Sequence, residues 1–318
     1  MVHTFPLFIL QSLDSMTQGL LLGVAAAFFW SLTNIIDKYL TARHAGDGNV
    51  WGILILSCFF PGFLLPISYY FSNSLTTNPN SIAILLLSGT LMVTWLYFYL
   101  KALTEDDTSV VMTLLVLAPF FSLVFSNLLL GEMLSLTQLI GGGLLILGSL
   151  IVSYNHSNNS FNYRLIFYAV AASIVMGLMH TLFKFSTPED EFWQSLFWRS
   201  SGMVITGFVL SLLIPAIWQK FYHFAKHYLR DGLSMNTANE SLTLFGDTLF
   251  GFAILLAPIA LIQTTEAYQP IFILIITFIL SQFGFTAIAE NYSRQSLVQK
   301  GLGITLVVTG SFVLILNS

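Results

Sequence analysis

Residues Ala118 to Ser153 read APFFSLVFSNLLLGEMLSLTQLIGGGLLILGSLIVS. Two apolar helices are joined by a short turn carrying Gly131-Glu132, and the second opens on Gly141, Gly142 and Gly143. Each flank is long and apolar enough to cross a bilayer, whose hydrocarbon core takes roughly 20 mainly apolar helical residues. The rest of the sequence repeats this design.

Composition carries the same message. Of 318 residues, 56% are hydrophobic and only 8% are charged, whereas a soluble domain carries about 25% charged residues. A net charge of -4 leaves no basic excess for a nucleic-acid surface. Cys58 is the single cysteine, so no intrachain disulfide forms, and the six histidines show no metal-ligand spacing. No metal or cofactor is expected. The leading residues MVHTFPLFILQSLDS lack the positive start of a cleavable signal peptide and form a short tail, residues 1–16.

Ten stretches have the length and composition of spans: Thr17–Lys38, Val50–Phe71, Ser81–Ala102, Ser109–Leu130, Thr137–Tyr154, Leu165–Phe185, Glu191–Trp218, Ser241–Gln263, Tyr268–Ala287 and Ser296–Leu316. Backbone groups in lipid must be bonded within their own segment, and runs such as IAILLL lack the alternation of a barrel, so the spans are helices. Pro61, Pro66, Pro119, Pro215 and Pro258 fall inside them as kink positions. The one long connection, residues 219–240, is expected to be an interfacial loop. From Trp218 to Arg230 its apolar and polar residues separate onto two helical faces; the alternative is an extended end of the seventh span.

The two halves resemble each other. Trp30 through Asn34, Lys38 and Thr41 lay over Met176 through His180, Lys184 and Thr187, and Glu105–Glu132 lays over Gln263–Glu290. Gly141 and Gly148 share their spacing with Gly303 and Gly310. Five spans per unit make the repeats inverted, the pattern of many transporters. The expected organisation is a first five-helix repeat at 17–154, a linker at 155–164 and a second five-helix repeat at 165–318. The fold class is an all-α integral membrane protein of ten transmembrane helices around a central cavity.

At this point the sequence resembles the drug/metabolite transporter superfamily, its EamA-like branch in particular. The likeness rests on Ala25-Ala26-Ala27-Phe28-Phe29-Trp30 with Lys38, on Tyr99-Leu100-Lys101-Ala102-Leu103, on Pro119, and on Gly131-Glu132 followed by Gly141 and Gly148. The second half departs from the pattern: Thr277 falls opposite Pro119, and Ala289-Glu290 stands where Gly-Glu is expected. Glu105-Asp106-Asp107 also departs from the small residues such proteins have there. The resemblance implies a secondary carrier, a permease or exporter, that works by alternating access and keeps both termini cytoplasmic.

Ionisable groups within spans cost about 2.5–3.5 kcal/mol on insertion scales, so each asks for a reason. Arg199, about two turns into its span, is expected to hold a substrate carboxylate or phosphate. Asp247, a similar distance into a span that runs the opposite way, is the proton-coupling candidate together with His180. Trp30, Asn34 and Lys38 share one helical stripe, matched by His180 and Lys184. Asn34 and His180 are read as cavity or interhelical groups, and Lys38 and Lys184 as snorkelling residues at the cavity mouths. Trp95 and Tyr99 share a face and serve either as an aromatic wall or as part of an interfacial belt. Gln269, beside Pro270, opens its span and faces substrate, while Glu132 and Glu290 cap the helices that follow. The glycines of 141–148 pack helices rather than cradle phosphate, since no strand precedes them and no Gly-Lys-Ser/Thr follows.

Loops after the odd-numbered spans carry Lys38, Arg43, Lys101, Arg164, Lys220, Lys226, Arg230, Arg294 and Lys300, against Lys184 alone on the other side. By the positive-inside rule the termini then lie outside the cytoplasm, opposite to what the resemblance implies. The expectation is a multi-pass protein of a bacterial inner membrane, monomer or homodimer. It moves a small polar solute, such as an amino acid or related organic ion, with protons as coupling ion. The alternatives are a carrier of a larger anionic substrate (a nucleotide-sugar or lipid headgroup) and a non-transporting scaffold or receptor. No nucleophile–base constellation points to an enzyme.

Overall fold

A computed structural model describes residues 13–44, 50–72, 74–130, 135–155, 160–187, 191–227, 231–257, 259–284 and 293–315. Among them lie fourteen α-helices: α1 (Ser15–His44), α2 (Trp51–Phe59), α3 (Leu64–Phe71), α4 (Pro79–Leu103), α5 (Thr108–Leu115), α6 (Ala118–Leu130), α7 (Leu136–Ser153), α8 (Tyr163–Ser186), α9 (Phe192–Leu213), α10 (Pro215–His227), α11 (Asp231–Leu256), α12 (Ile259–Gln263), α13 (Gln269–Gln282) and α14 (Arg294–Ile315). A pair of two-residue strands, β1 (Tyr154–Asn155) and β2 (Ser160–Phe161), is the described β structure. The Gly131-Glu132 turn, Pro258, Ala289-Glu290 and the first twelve residues lie outside the described residues.

Eight helical stretches among the described residues are long and apolar enough to cross a membrane: those built on α1, α2–α3, α4, α5–α6, α8, α9, α12–α13 and α14. The apolar part of α7, Ile140–Val152, is shorter. The polar first half of α11, with Asn236, Asn239 and Glu240, keeps that helix out of the set.

Prolines explain most departures from ten unbroken rods. A 3₁₀ segment, Phe60–Phe63, interrupts the second expected span at Pro61. Pro119 has no N–H for the Leu115 carbonyl four residues back, and the chain breaks between α5 and α6 at Val116–Leu117. The Ser173 hydroxyl of α8 stands 3.4 Å from that carbonyl, the kind of neighbouring group that lets a kink survive in lipid. The seventh expected span is corrected at its end. α9 stops at Leu213, Ile214 leaves helical geometry (φ -124, ψ 87), and Pro215 opens α10 as a first-turn proline. Trp218 thus belongs to α10, a separate helix that packs on α2 and buries Ile217. The expected loop at 219–240 is helical over its described residues, since α11 already begins at Asp231, well before Ser241.

Helix α1 packs along α11, and α4 packs along α8. These four are the long unbroken rods, and the cavity lies between the two pairs. Helices α7 and α14 form a third close pair through glycines. A Cβ on Gly148 would stand 2.8 Å from the Gly303 carbonyl, and one on Gly310 would stand 2.8 Å from that of Gly141. Gly148 meeting Gly303 while Gly141 meets Gly310 makes the two helices antiparallel and close-packed, as the spacing of these glycines anticipates.

Candidate functional site

Each of the four rods presents one stripe to the cavity. Residues at i, i+3 or i+4, and i+7 share a helix face, and the lining follows that rule. α1 supplies Trp30, Asn34 and Asp37; α4 supplies Met92, Trp95 and Tyr99. α11 supplies Glu240, Thr243 and Asp247; α8 supplies Met176, Met179 and His180. Gln269, at the start of α13, closes one side. The non-atom space amounts to about 850 Å³ with its opening, of which about 70 Å³ admits the centre of a water-sized sphere. That smaller figure is well above the roughly 10–15 Å³ one water needs.

One connected hydrogen-bonded network and three separate pairs surround this space. Asn34 Nδ2 donates to Gln269 Oε1 at 2.8 Å. The Tyr99 hydroxyl stands 2.8 Å from Asn34 Oδ1 and 3.0 Å from Asp37 Oδ2, two acceptors sharing one hydrogen. Asn239 Nδ2 donates to Asp37 Oδ1 at 2.7 Å, and the Ser57 hydroxyl donates to Glu240. Trp30 Nε1 donates to Asp247 Oδ1 at 3.0 Å. The indole fits because residue 246 is glycine: a Cβ there would lie 2.9 Å from Trp30 Nε1. Gln263 Nε2 lies 3.0 Å from His180 Nδ1. Trp95 and Tyr99 stack almost parallel, centroids 5.2 Å apart and planes 3° apart, and both line the cavity. They form the wall rather than the interfacial belt.

Three carboxylates, Asp37, Glu240 and Asp247, face this cavity, and no lysine or arginine is among its described lining residues. Arg199 is the main correction. It is buried, but its guanidinium sits 4.7 Å over the Phe183 ring, outside the lining. No hydrogen bond or ion pair to a described residue is seen for it. The early start of α11 places Asp247 well inside that helix, within electrostatic reach of Arg199.

Lys38 and Lys184 are corrected as well. Neither is among the described lining residues, and each ammonium is turned onto backbone carbonyls. Lys38 Nζ donates to the Leu103 and Asp106 carbonyls, each at 2.7 Å. Lys184 Nζ donates to the Ala257 carbonyl at 2.8 Å. Each lysine therefore fastens the end of a long rod, α4 or α11, where unpaired carbonyls carry the negative end of the helix dipole. Beyond α4, the Lys300–Asp107 ion pair (2.7 Å) ties α14 to the turn. Burial pushes the Asp106 carboxyl above its usual range, against the Asp107 N–H that it accepts at 2.7 Å. At the other extreme of the chain, Asp14 caps α1 through Thr17, whose hydroxyl and N–H hold that carboxyl below its usual range.

Comparison with known proteins gives the first half of the chain a family likeness. Residues 17–154 match the EamA-like transporter family. Over those residues, somewhat less than half of the chain, the sequence is similar to that family. With its apolar helices, the EamA-like match makes the chain a multi-pass membrane protein of transporter type. A solved structure, described as "Crystal structure of protein", superposes with a TM-score of 0.63 at 15% identity, covering 94% of this chain and 97% of that one. The likeness of fold thus extends beyond the EamA-like half. No curated protein matches the chain.

Of the residues the sequence offers for a site, Trp30, Asp247 and Gln269 line the cavity, as do Asn34 and His180, read as cavity or interhelical groups, and Trp95 and Tyr99, read as wall or belt. Sequence reasoning missed Asp37 and Glu240. Asp37 was legible, lying three residues from Asn34 and seven from Trp30 on one stripe. Glu240 was hidden because the polar start of α11 reads as a loop.

Proposed function

We propose that the protein is a secondary active transporter that moves a small organic solute bearing a protonated amine, by alternating access. The observation that carries this is the sign of the lining charge: three carboxylates and aromatic faces, with no cationic side chain among the described lining residues. An ammonium group there finds Asp37 and Glu240 as ionic partners and Trp95 and Tyr99 as cation–π faces. Trp30, Asn34, His180 and Gln269 orient the remainder, which amino acids and related amines satisfy. A larger anionic substrate would meet like charges and is the less favoured reading.

Alternating access rests on ten spans arranged as inverted repeats, 17–154 and 165–318, joined by the linker 155–164. Three contacts support that arrangement. α1 on α11 exchanges with α4 on α8 under the repeat; the Lys38 and Lys184 fastenings correspond; and the Gly148–Gly303 and Gly141–Gly310 contacts exchange as a two-fold axis demands. Asp247 is the proton-coupling residue on the cavity side, held by Trp30. His180 Nδ1 is engaged by Gln263, which leaves His180 a neutral positioning role in this state. The setting is a bacterial inner membrane.

The test is a thermal-shift screen of purified protein against amines, amino acids, carboxylates and nucleotide-sugars, followed by liposome uptake of any hit. Amine-bearing compounds should stabilise the wild type and lose their effect in Asp37→Asn and Glu240→Gln. Stabilisation by carboxylates or nucleotide-sugars alone would reject the proposal.

A further inference from the structure

The membrane-crossing stretch Leu261–Gln282 begins before the ninth expected span, Tyr268–Ala287, and is not one helix. Between α12 and α13 the chain runs through a 3₁₀ turn, Thr264–Tyr268, whose residues Thr264, Thr265, Glu266 and Ala267 are buried. Glu266 is 2% exposed, and its Oε1 has no hydrogen-bond partner. The nearest hydroxyls in sequence are already committed. Thr264 Oγ1 donates to the Leu261 carbonyl at 2.6 Å, and Thr265 Oγ1 donates to that of Ile262 at 2.7 Å. Around the neighbouring Ala267 stand Val116, Leu117, Leu123, Leu145 and Val307.

No described charge compensates this carboxyl. The turn packs against α1, α12, α13 and α14. α12 and α13 carry no charged side chain. On α1, Asp37 is held by Tyr99 and Asn239, and Lys38 by the turn after α4. On α14, Lys300 pairs with Asp107, and Arg294 is exposed. Of the tyrosines of these elements, Tyr39 has a contact of its own and the Tyr268 ring stands against Phe272. A bare buried carboxylate costs several kcal/mol, so a small cation must neutralise it. Glu266 does not line the solute cavity. It is one 3₁₀ turn from Gln263, whose amide contacts His180 on the cavity wall.

We infer that Glu266 is a second ion site, apart from the solute cavity, which holds one small monovalent cation, a proton or Na⁺. Occupancy neutralises the carboxyl while the interrupted helix is packed. The ion exchanges when the Thr264–Tyr268 turn moves, and Gln263 and His180 relay that movement to the cavity. Broken membrane helices are where coupling ions find ligands in transporters generally.

The test needs no solute, so its outcome is independent of the amine proposal. Purified full-length protein and Glu266→Gln are melted across pH 6 to 9 in choline chloride or in NaCl of equal concentration. A group that keeps its proton in the folded state and loses it in the unfolded state contributes stability that is lost as pH rises. If the ion is a proton, the wild-type melting temperature falls with pH by about 3 °C more than that of Glu266→Gln, in either salt. If it is Na⁺, NaCl restores that loss at high pH in the wild type only. Parallel profiles with no sodium effect would overturn the inference. Glu266→Met asks for no partner at all and repeats the comparison should the Gln variant aggregate. Failure of both neutral variants to fold would also overturn it, because a neutral group could not then replace the neutralised carboxyl.

Discussion

Two glycine-to-alanine changes should move stability in opposite directions. Gly89 of α4 and Gly202 of α9 stand back to back. An added Cβ on Gly89 would lie 2.1 Å from the Arg199 carbonyl oxygen and 2.8 Å from the Met203 nitrogen. One on Gly202 would lie 2.3 Å from the Leu86 carbonyl oxygen. These are backbone atoms, so no side-chain rotation relieves the overlap, and the helices must part by close to an ångström to reach ordinary contact. Overpacking costs typically 1–3 kcal/mol, and the upper end applies when main chain is struck. Alanine returns about 1 kcal/mol of helix propensity, leaving a net loss of about 2 kcal/mol for Gly89→Ala. Gly143 of α7 has no atom within 4 Å of an added Cβ, so Gly143→Ala keeps only the gain of about 1 kcal/mol. The contrast of about 3 kcal/mol corresponds to roughly 6 °C for a chain of this size. Thermal unfolding of the two variants in one detergent, followed by tryptophan fluorescence, reads it directly. Equal melting temperatures, or a stabilised Gly89→Ala, would refute the close crossing of α4 and α9.

Three further outcomes follow. Tyr99→Phe removes the hydroxyl shared by Asn34 and Asp37 and should cost about 1–3 kcal/mol, the price of buried acceptors left without a donor; a melting temperature equal to wild type would mean water already serves both acceptors. Asp106 titrates above its usual range because of burial, so its ionised form weighs on the folded state once pH exceeds the unfolded value. Asp106→Asn should therefore gain stability over wild type as pH rises from 4 to 8, and a gain that shrinks over that range would contradict the placement of the turn. Cys58 is fully buried and should resist maleimide labelling in folded protein while reacting completely in dodecyl sulfate, as mass spectrometry would record; rapid labelling of the native form would mean that α2 does not pack as described.

Helicity, the long apolar rods and the stripes of α1, α4 and α8 were legible because one periodicity governs both sequence and packing. Trp30 and Asn34, or Trp95 and Tyr99, could be assigned a common face from spacing alone. What stayed hidden depended on partners distant in the chain. Lys38 and Lys184 looked like interfacial residues because nothing local announces the carbonyl ends they bind. Glu240 was lost to a polar stretch that tertiary packing keeps helical, and Arg199 was misjudged because nothing local announces the Phe183 ring that its guanidinium covers. Glu266 drew no notice, since only the fold shows that its turn is enclosed.

Interruptions fall on flanking elements, at Phe60–Phe63, Val116–Leu117 and Thr264–Tyr268, while α1, α4, α8 and α11 run unbroken. Under the alternating-access proposal such a framework would act as two stiff levers on compliant couplings, opening a passage by tilting one pair against the other. A short covalent tether between α1 and α11 should then leave flux untouched, whereas the same tether between α1 and α4 should stall the cycle.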